Sequence, residues 1–138
     1  MEFASPAISR VSNRPHHQPS VLVVDDDPGV RRLLDRALPL YGFRVRLAAS
    51  GPEALDLFEA HRHDIDLVLL DVRMPQLDGP ATLAALSQLD PGVRCVFMSG
   101  QPGDYTEDDL RERGAQALVP KPFKLDELGT RLRALVAA

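Results

Sequence analysis

Short apolar runs that end in charge, alternating with helical patterns, constrain this chain more than any other feature. Val21-Leu22-Val23-Val24 leads into Asp25-Asp26-Asp27, and Leu67-Val68-Leu69-Leu70 into Asp71. Ala117-Leu118-Val119 is followed by Pro120 and Lys121. Two further candidate strands, 44–48 and 93–98, fall between helical stretches. Strands that are apolar at every position are buried on both faces, as in a parallel sheet. The alternation predicts an α/β fold with helices on both faces of that sheet.

The helical stretches carry their own signals. Asp27 suits an N-cap and Pro28 a first helical position. Val30, Leu33, Leu34, Ala37 and Leu38 then form an amphipathic stripe, which Pro39 should end or kink at Leu38. Ser50-Gly51-Pro52-Glu53 has the pattern of a capping box and starts a second helix reaching about His61. A third helix begins near Gly79-Pro80. A short polar helix falls within 106–113, and the last helix carries Leu125, Leu128, Leu132 and Leu135. The strands are expected at about 21–25, 44–48, 67–70, 93–98 and 116–119.

Composition bounds what such a fold can do. The chain has 138 residues, 44% hydrophobic and 26% charged, with a net charge of −4. One domain of this size can hold a core, and two ordinary ones cannot. No basic stripe suggests nucleic acid, and no apolar run suggests a membrane span or a signal peptide. A cytoplasmic setting fits. Cys95 sits inside an apolar run and reads as a small core residue. Residues 1–19 are polar, aperiodic and punctuated by proline, and read as a disordered tail or linker before a domain at 20–138. His16 and His17 lie in that stretch and read as solvated side chains.

In open parallel sheets, ligands bind beyond the carboxyl ends of the strands. Asp25, Asp26, Asp71, Ser99 and Lys121 all fall at such ends. Three carboxylates and a lysine at one sheet edge suggest metal-assisted phosphoryl chemistry. Mg²⁺ takes hard oxygen ligands from one or two carboxylates, water and phosphate. Without a cation, the carboxylates would raise one another's pKa values. A lysine can pair first with a carboxylate and then with a phosphoryl group. An aspartate can itself accept that group as an acyl phosphate. Capping explains Asp27 but leaves Asp25 and Asp26 unexplained, because one side chain suffices for a cap.

At these residues the chain resembles the receiver domain of two-component response regulators. The motifs are Leu22-Val23-Val24-Asp25-Asp26-Asp27, the stretch from Asp71 through Arg73-Met74-Pro75 to Asp78-Gly79, Met98-Ser99-Gly100, and Lys121-Pro122-Phe123. The resemblance covers about 20–138 and implies a five-stranded parallel sheet in the order 2-1-3-4-5. It implies Asp71 as phosphoacceptor, loaded from a histidine kinase or histidine phosphotransfer protein. Asp26 would bind Mg²⁺ directly, Asp25 mainly through water, and the Arg73 main-chain carbonyl would complete the protein ligands. Ser99 would bond the phosphoryl group, Lys121 would pair with it, and Pro122 would follow a cis peptide. Ser99 and Leu118 hold the switch positions, where many members have Thr and an aromatic residue. With Leu118, loop and helix repositioning around 100–103 is the expected response.

The output surface would then comprise the polar helix, strand 5 and the last helix, facing a downstream protein. Self-association, where it occurs, would use the last-helix region. Arg73 and Gln101 should border the phosphoryl site. The module would not be an enzyme beyond slow self-phosphorylation and self-dephosphorylation. It would stand alone or belong to a hybrid kinase or multidomain regulator. A haloacid-dehalogenase-type phosphotransferase needs a second Asp where Arg73 stands, and a flavodoxin would place FMN phosphate against Asp25-Asp26-Asp27.

Overall fold

A computed structural model describes residues 18–100 and 105–137. The element order is β1 Ser20–Val24, α1 Pro28–Ala37, β2 Arg44–Ala48, α2 Gly51–His61, β3 Leu67–Asp71, α3 Gly79–Leu89, β4 Cys95–Ser99, α4 Glu107–Glu112, β5 Ala117–Pro120 and α5 Leu125–Ala137. All strands are parallel, in the order β2-β1-β3-β4-β5. Four strands differ by one or two residues from their expected bounds, and β2 matches them. Thus Val93 serves a turn, its amide donating to the Asp90 carbonyl, and β4 starts at Cys95.

Alternate side chains of each central strand supply two cores. Leu22, Val24, Val68, Leu70 and Phe97 meet Ala54 and Phe58 of α2, Leu83 and Leu86 of α3, and Leu110 of α4. Val21, Val23, Leu67, Leu69, Val96 and Met98 meet Leu34 and the α5 residues Leu128, Leu132 and Val136. Burial on both faces is the reason these strands are apolar throughout. Cys95 is buried in the first core, and the burial pushes its thiol pKa upward.

The Asp27 and Ser50 side chains cap their helices as read from the sequence, but the capping box at Ser50 is only half formed, because Glu53 accepts from the Ala49 amide at 2.6 Å and not from Ser50. The Asp27 side chain accepts from the Gly29 amide at 2.8 Å, and Ser50 accepts from Glu53 at 3.2 Å. Beyond Ala37 the chain tightens into a 3₁₀ turn, Leu38–Tyr41, which Gly42 ends in the left-handed region at φ 91°. The α-helix thus ends just before Leu38, and the turn that contains Pro39 is of the 3₁₀ type. Tyr41 packs over α5 at Gly129, where an added Cβ would come within 2.4 Å of the ring. Its hydroxyl donates to Asp126.

The expectations for residues 1–17, including His16 and His17, lie outside the described residues, as does Gln101. The chain is already engaged before β1: the Pro19 carbonyl accepts from the Arg44 amide at 2.8 Å. Among the described residues no helix is long and apolar enough to cross a membrane.

Candidate functional site

Parallel pairing brings the carboxyl ends of β1, β3, β4 and β5 to one edge. Val24 pairs with Leu70, Asp71 with Met98, and Ser99 with Pro120. The residues just past these ends therefore converge although they are far apart in the chain. Asp25, Asp26 and Asp71 each offer a carboxylate oxygen within 4.8 Å of the others. Asp25 is fully buried, Asp71 is 7% exposed, and Asp26 faces solvent.

Lys121 holds the centre. Its Nζ donates to Asp25 Oδ2 at 2.6 Å and to Asp71 Oδ1 at 3.3 Å. The shorter contact is to Asp25, so the resting partner of the ammonium is the β1 carboxylate. Burial works against the Lys121 charge, but the Asp25 hydrogen bond and the Asp71 and Asp25 charges outweigh it and raise its pKa. Asp25 Oδ1 accepts from the Asp27 amide at 2.9 Å. Both Asp25 oxygens therefore already accept from the protein, whereas Asp26 is the exposed member of the cluster.

Asp71 is pushed up from its ordinary value of 3.8 to about 6. Burial is the largest cause and the Asp25 charge the next, partly offset by Lys121. At neutral pH the group is still mainly ionised and able to act as a nucleophile. Its folded-state pKa lies above the unfolded one, so the folded state holds this proton more tightly. In protein kept metal-free by a chelator, stability should fall as pH rises from about 4 through about 6. Urea titrations across this range should show the loss, and Asp71→Asn should show a flatter profile. An identical slope in both proteins would contradict the assignment.

The other expected residues occupy graded positions. Ser99 ends β4 beside Lys121, and the two line a cavity of about 340 Å³ with Gly100, Glu107, Leu118 and Pro120. Leu118 is half-buried and packs against the core on the α2–α4 side. Arg73 is exposed in the loop after Asp71. The Lys121–Pro122 peptide is cis. The β3–α3 loop is braced by the Gly79 amide, which donates to the Val72 carbonyl at 2.8 Å.

Two contacts went unread in the sequence. Arg31 Nη1 donates to the Asp25 main-chain carbonyl at 2.7 Å, pinning the end of β1. The Tyr105 hydroxyl donates to Asp78 Oδ2 at 3.0 Å. Arg31 lies one turn into a helix that starts at the site, which was a usable signal; Tyr105 gave none.

The cluster's donors are all oxygen, and two of them are charged and adjacent in sequence. That set fits a hard divalent cation such as Mg²⁺ and suits soft metals poorly.

Comparison with known proteins agrees with this geometry. The family model of the response regulator receiver domain matches residues 21–133. The sensor kinase CckA of Brucella abortus is 37% identical over 117 residues, which are 85% of this chain and 12% of that protein. The response regulator MprA of Mycolicibacterium vanbaalenii is 40% identical over 116 residues, 84% of this chain and 49% of that protein. The chain thus spans about half or less of the length of these relatives. Among solved structures, the TrrA response regulator of Thermotoga maritima in complex with Mg²⁺-BeF is 30% identical with a TM-score of 0.74, over 85% of this chain and 98% of that one. The CheX–CheY–BeF₃–Mg²⁺ complex of Borrelia burgdorferi contains a chain 28% identical to this one, with a TM-score of 0.79 over 85% of this chain and 88% of that one. Fold, acidic edge and sequence likeness agree, and the chain belongs to the response regulator receiver domain family.

Proposed function

We propose that Asp71 accepts a phosphoryl group from a phosphohistidine on a partner kinase or phosphotransfer protein, with Mg²⁺ held at the acidic edge. The observation that carries this reading is the Lys121 ammonium lodged between Asp25 and Asp71, with Asp26 exposed beside them. An Asp71 oxygen would attack phosphorus, and the P–N bond to the imidazole would break. The imidazole nitrogen keeps the electron pair and takes a proton. Asp71 then carries an acyl phosphate, which water later hydrolyses at phosphorus.

Asp26 would ligate the cation directly, with Asp71 and the Arg73 carbonyl, and Asp25 would act mainly through water. When bound, Mg²⁺ supplies charge neutralisation for the phosphoryl oxygens. Lys121 would exchange its Asp71 contact for a phosphoryl oxygen, and the Ser99 hydroxyl would donate to another. Catalysis of this kind is positioning and electrostatics, because the phosphorylated residue is itself the nucleophile. In line with this, only slow self-phosphorylation from small donors and slow self-dephosphorylation are expected. The Mg²⁺-BeF complex of the similar TrrA domain supports the metal assignment.

The test is intact mass before and after mixing with Mg²⁺ and a small phosphodonor. A gain of one phosphoryl group that disappears with a chelator supports the reading, and no gain contradicts it. Metal titration should separate the two β1 acids. Asp26→Asn is expected to weaken Mg²⁺ by at least about tenfold, more than Asp25→Asn. Equal losses would sink the direct and water-mediated roles.

Lys121→Ala should still bind Mg²⁺ but transmit phosphorylation poorly. The variant leaves a phosphoryl charge of about −2 less neutralised and removes its tie to β5. A beryllofluoride complex that produces the same spectral change in variant and parent would remove Lys121 from this role. Output is proposed to run through α4, β5 and α5 to a downstream protein.

A further inference from the structure

The loop that follows the phosphoacceptor is tied to α4 by one side chain. The Tyr105 hydroxyl donates to Asp78 Oδ2 at 3.0 Å, while Asp78 Oδ1 accepts from the Ala81 amide at 2.9 Å and caps α3. One carboxylate therefore joins the end of the β3–α3 loop, the first turn of α3 and the residue just before Thr106, the N-cap of α4. Arg113, at the far end of α4, lies over the Tyr105 ring at 5.2 Å from its centroid. Tyr105 thus contacts both the loop and the opposite end of the helix it precedes.

The rest of α4 is lightly held. It is six residues long, and Leu110 is its one buried residue. Residue 118 cannot supply a polar link between the site and this helix, because leucine has no hydrogen-bonding side-chain atom. A cavity of about 400 Å³, lined by Val72, Arg73, Met74, Pro75, Asp78 and Tyr105, lies between the loop and the start of α4. Within the loop, Gln76 has a positive φ of 72°, an uncommon conformation for a residue other than glycine.

We propose that Tyr105 is a positioning residue that couples the phosphoacceptor loop to α4, in place of residue 118. The inference rests on the phosphoacceptor reading of Asp71. A change in the loop that carries the Arg73 carbonyl moves Asp78, and the Tyr105–Asp78 bond passes that displacement to the start of α4. Tyr105→Phe removes the bond and keeps the ring over Arg113. Asp78→Ser keeps a good N-cap for α3 but is too short to reach the hydroxyl.

The test is hydrogen exchange with and without beryllofluoride and Mg²⁺ in the parent, the two single variants and the double variant. In the parent, protection should change both around Asp71 and in 106–113. In Tyr105→Phe the change around Asp71 should persist, and that in 106–113 should shrink roughly fivefold, the low end of coupling between sites. Asp78→Ser and the double variant should show the same loss as Tyr105→Phe, because all three remove one bond. An undiminished response of 106–113 in Tyr105→Phe, or losses that add in the double variant, would overturn the coupling role. No response anywhere in the parent would instead overturn the phosphoacceptor reading, and this inference with it. Tyr105→Phe keeps the packing, so general loss of protection in Asp78→Ser alone leaves its result decisive.

Discussion

Asp71→Asn is expected to take up no phosphoryl group from either a small donor or a phosphohistidine protein. The amide matches the carboxylate in size, so the fold should persist. What it lacks is the charged oxygen that attacks phosphorus and survives as an acyl phosphate. Its environment explains why this carboxylate is usable. Burial and the Asp25 charge raise its pKa to about 6, which strengthens it as a nucleophile while leaving it mainly ionised at neutral pH. Lys121, bonded to both acids, keeps the pair from repelling without restraint. The same substitution should stabilise the metal-free protein near pH 7, since it removes a charge that folding disfavours. Mass spectrometry and urea unfolding on one preparation check both effects. Undiminished uptake in Asp71→Asn would assign the phosphoryl group elsewhere.

Gly79→Val should give the largest loss of stability among single changes near the site. A Cβ at Gly79 would lie 2.4 Å from the Asp71 carbonyl oxygen, 2.9 Å from Val72 Cα and 2.8 Å from the Phe97 ring. Two of these neighbours are main chain and cannot swing aside. The Gly79 amide also donates to the Val72 carbonyl at 2.8 Å, which fixes the close approach. Overpacking against a backbone belongs at the upper end of such costs, about 3 kcal/mol. For a domain of this size that lowers Tm by roughly 10 °C. Phosphoryl uptake should fall with it, because the displaced chain is the one that carries Asp71. Gly92→Val is the control: its added Cβ meets nothing closer than 3.4 Å. Thermal melts within a degree or two of each other for the two variants would contradict this account of the loop.

The fold was legible largely because burial on both faces removes polar residues from a central parallel strand. Val21–Val24 and Leu67–Leu70 announce themselves in this way, and each ends where its charged residues begin. Asp27 was legible as a cap because capping is local chemistry, and its side chain does accept from Gly29. The 3₁₀ turn at Leu38–Tyr41 was not, since Pro39 signals the end of an α-helix but not what replaces it. The acidic cluster could be assembled from strand ends alone. Its internal bonding could not. The preference of Lys121 for Asp25 and the Tyr105 bond to Asp78 join residues far apart in the chain and on separate elements. Such contacts depend on the geometry with which helices seat on the sheet, which no local pattern encodes. The crowding at Gly79 is of the same kind: a glycine near a helix start reads as a turn, whereas its reason is the carbonyl of Asp71 behind it.

Reductive trapping tests the central claim most directly. The protein is loaded from a small phosphodonor with Mg²⁺ and then treated with borohydride, which converts an aspartyl phosphate to homoserine. Peptide mass spectrometry then reads the position. The account predicts homoserine at position 71 and at neither 25 nor 26, with none formed when the cation is chelated. Homoserine at 25 or 26, or conversion at 71 that needs no divalent cation, would contradict it.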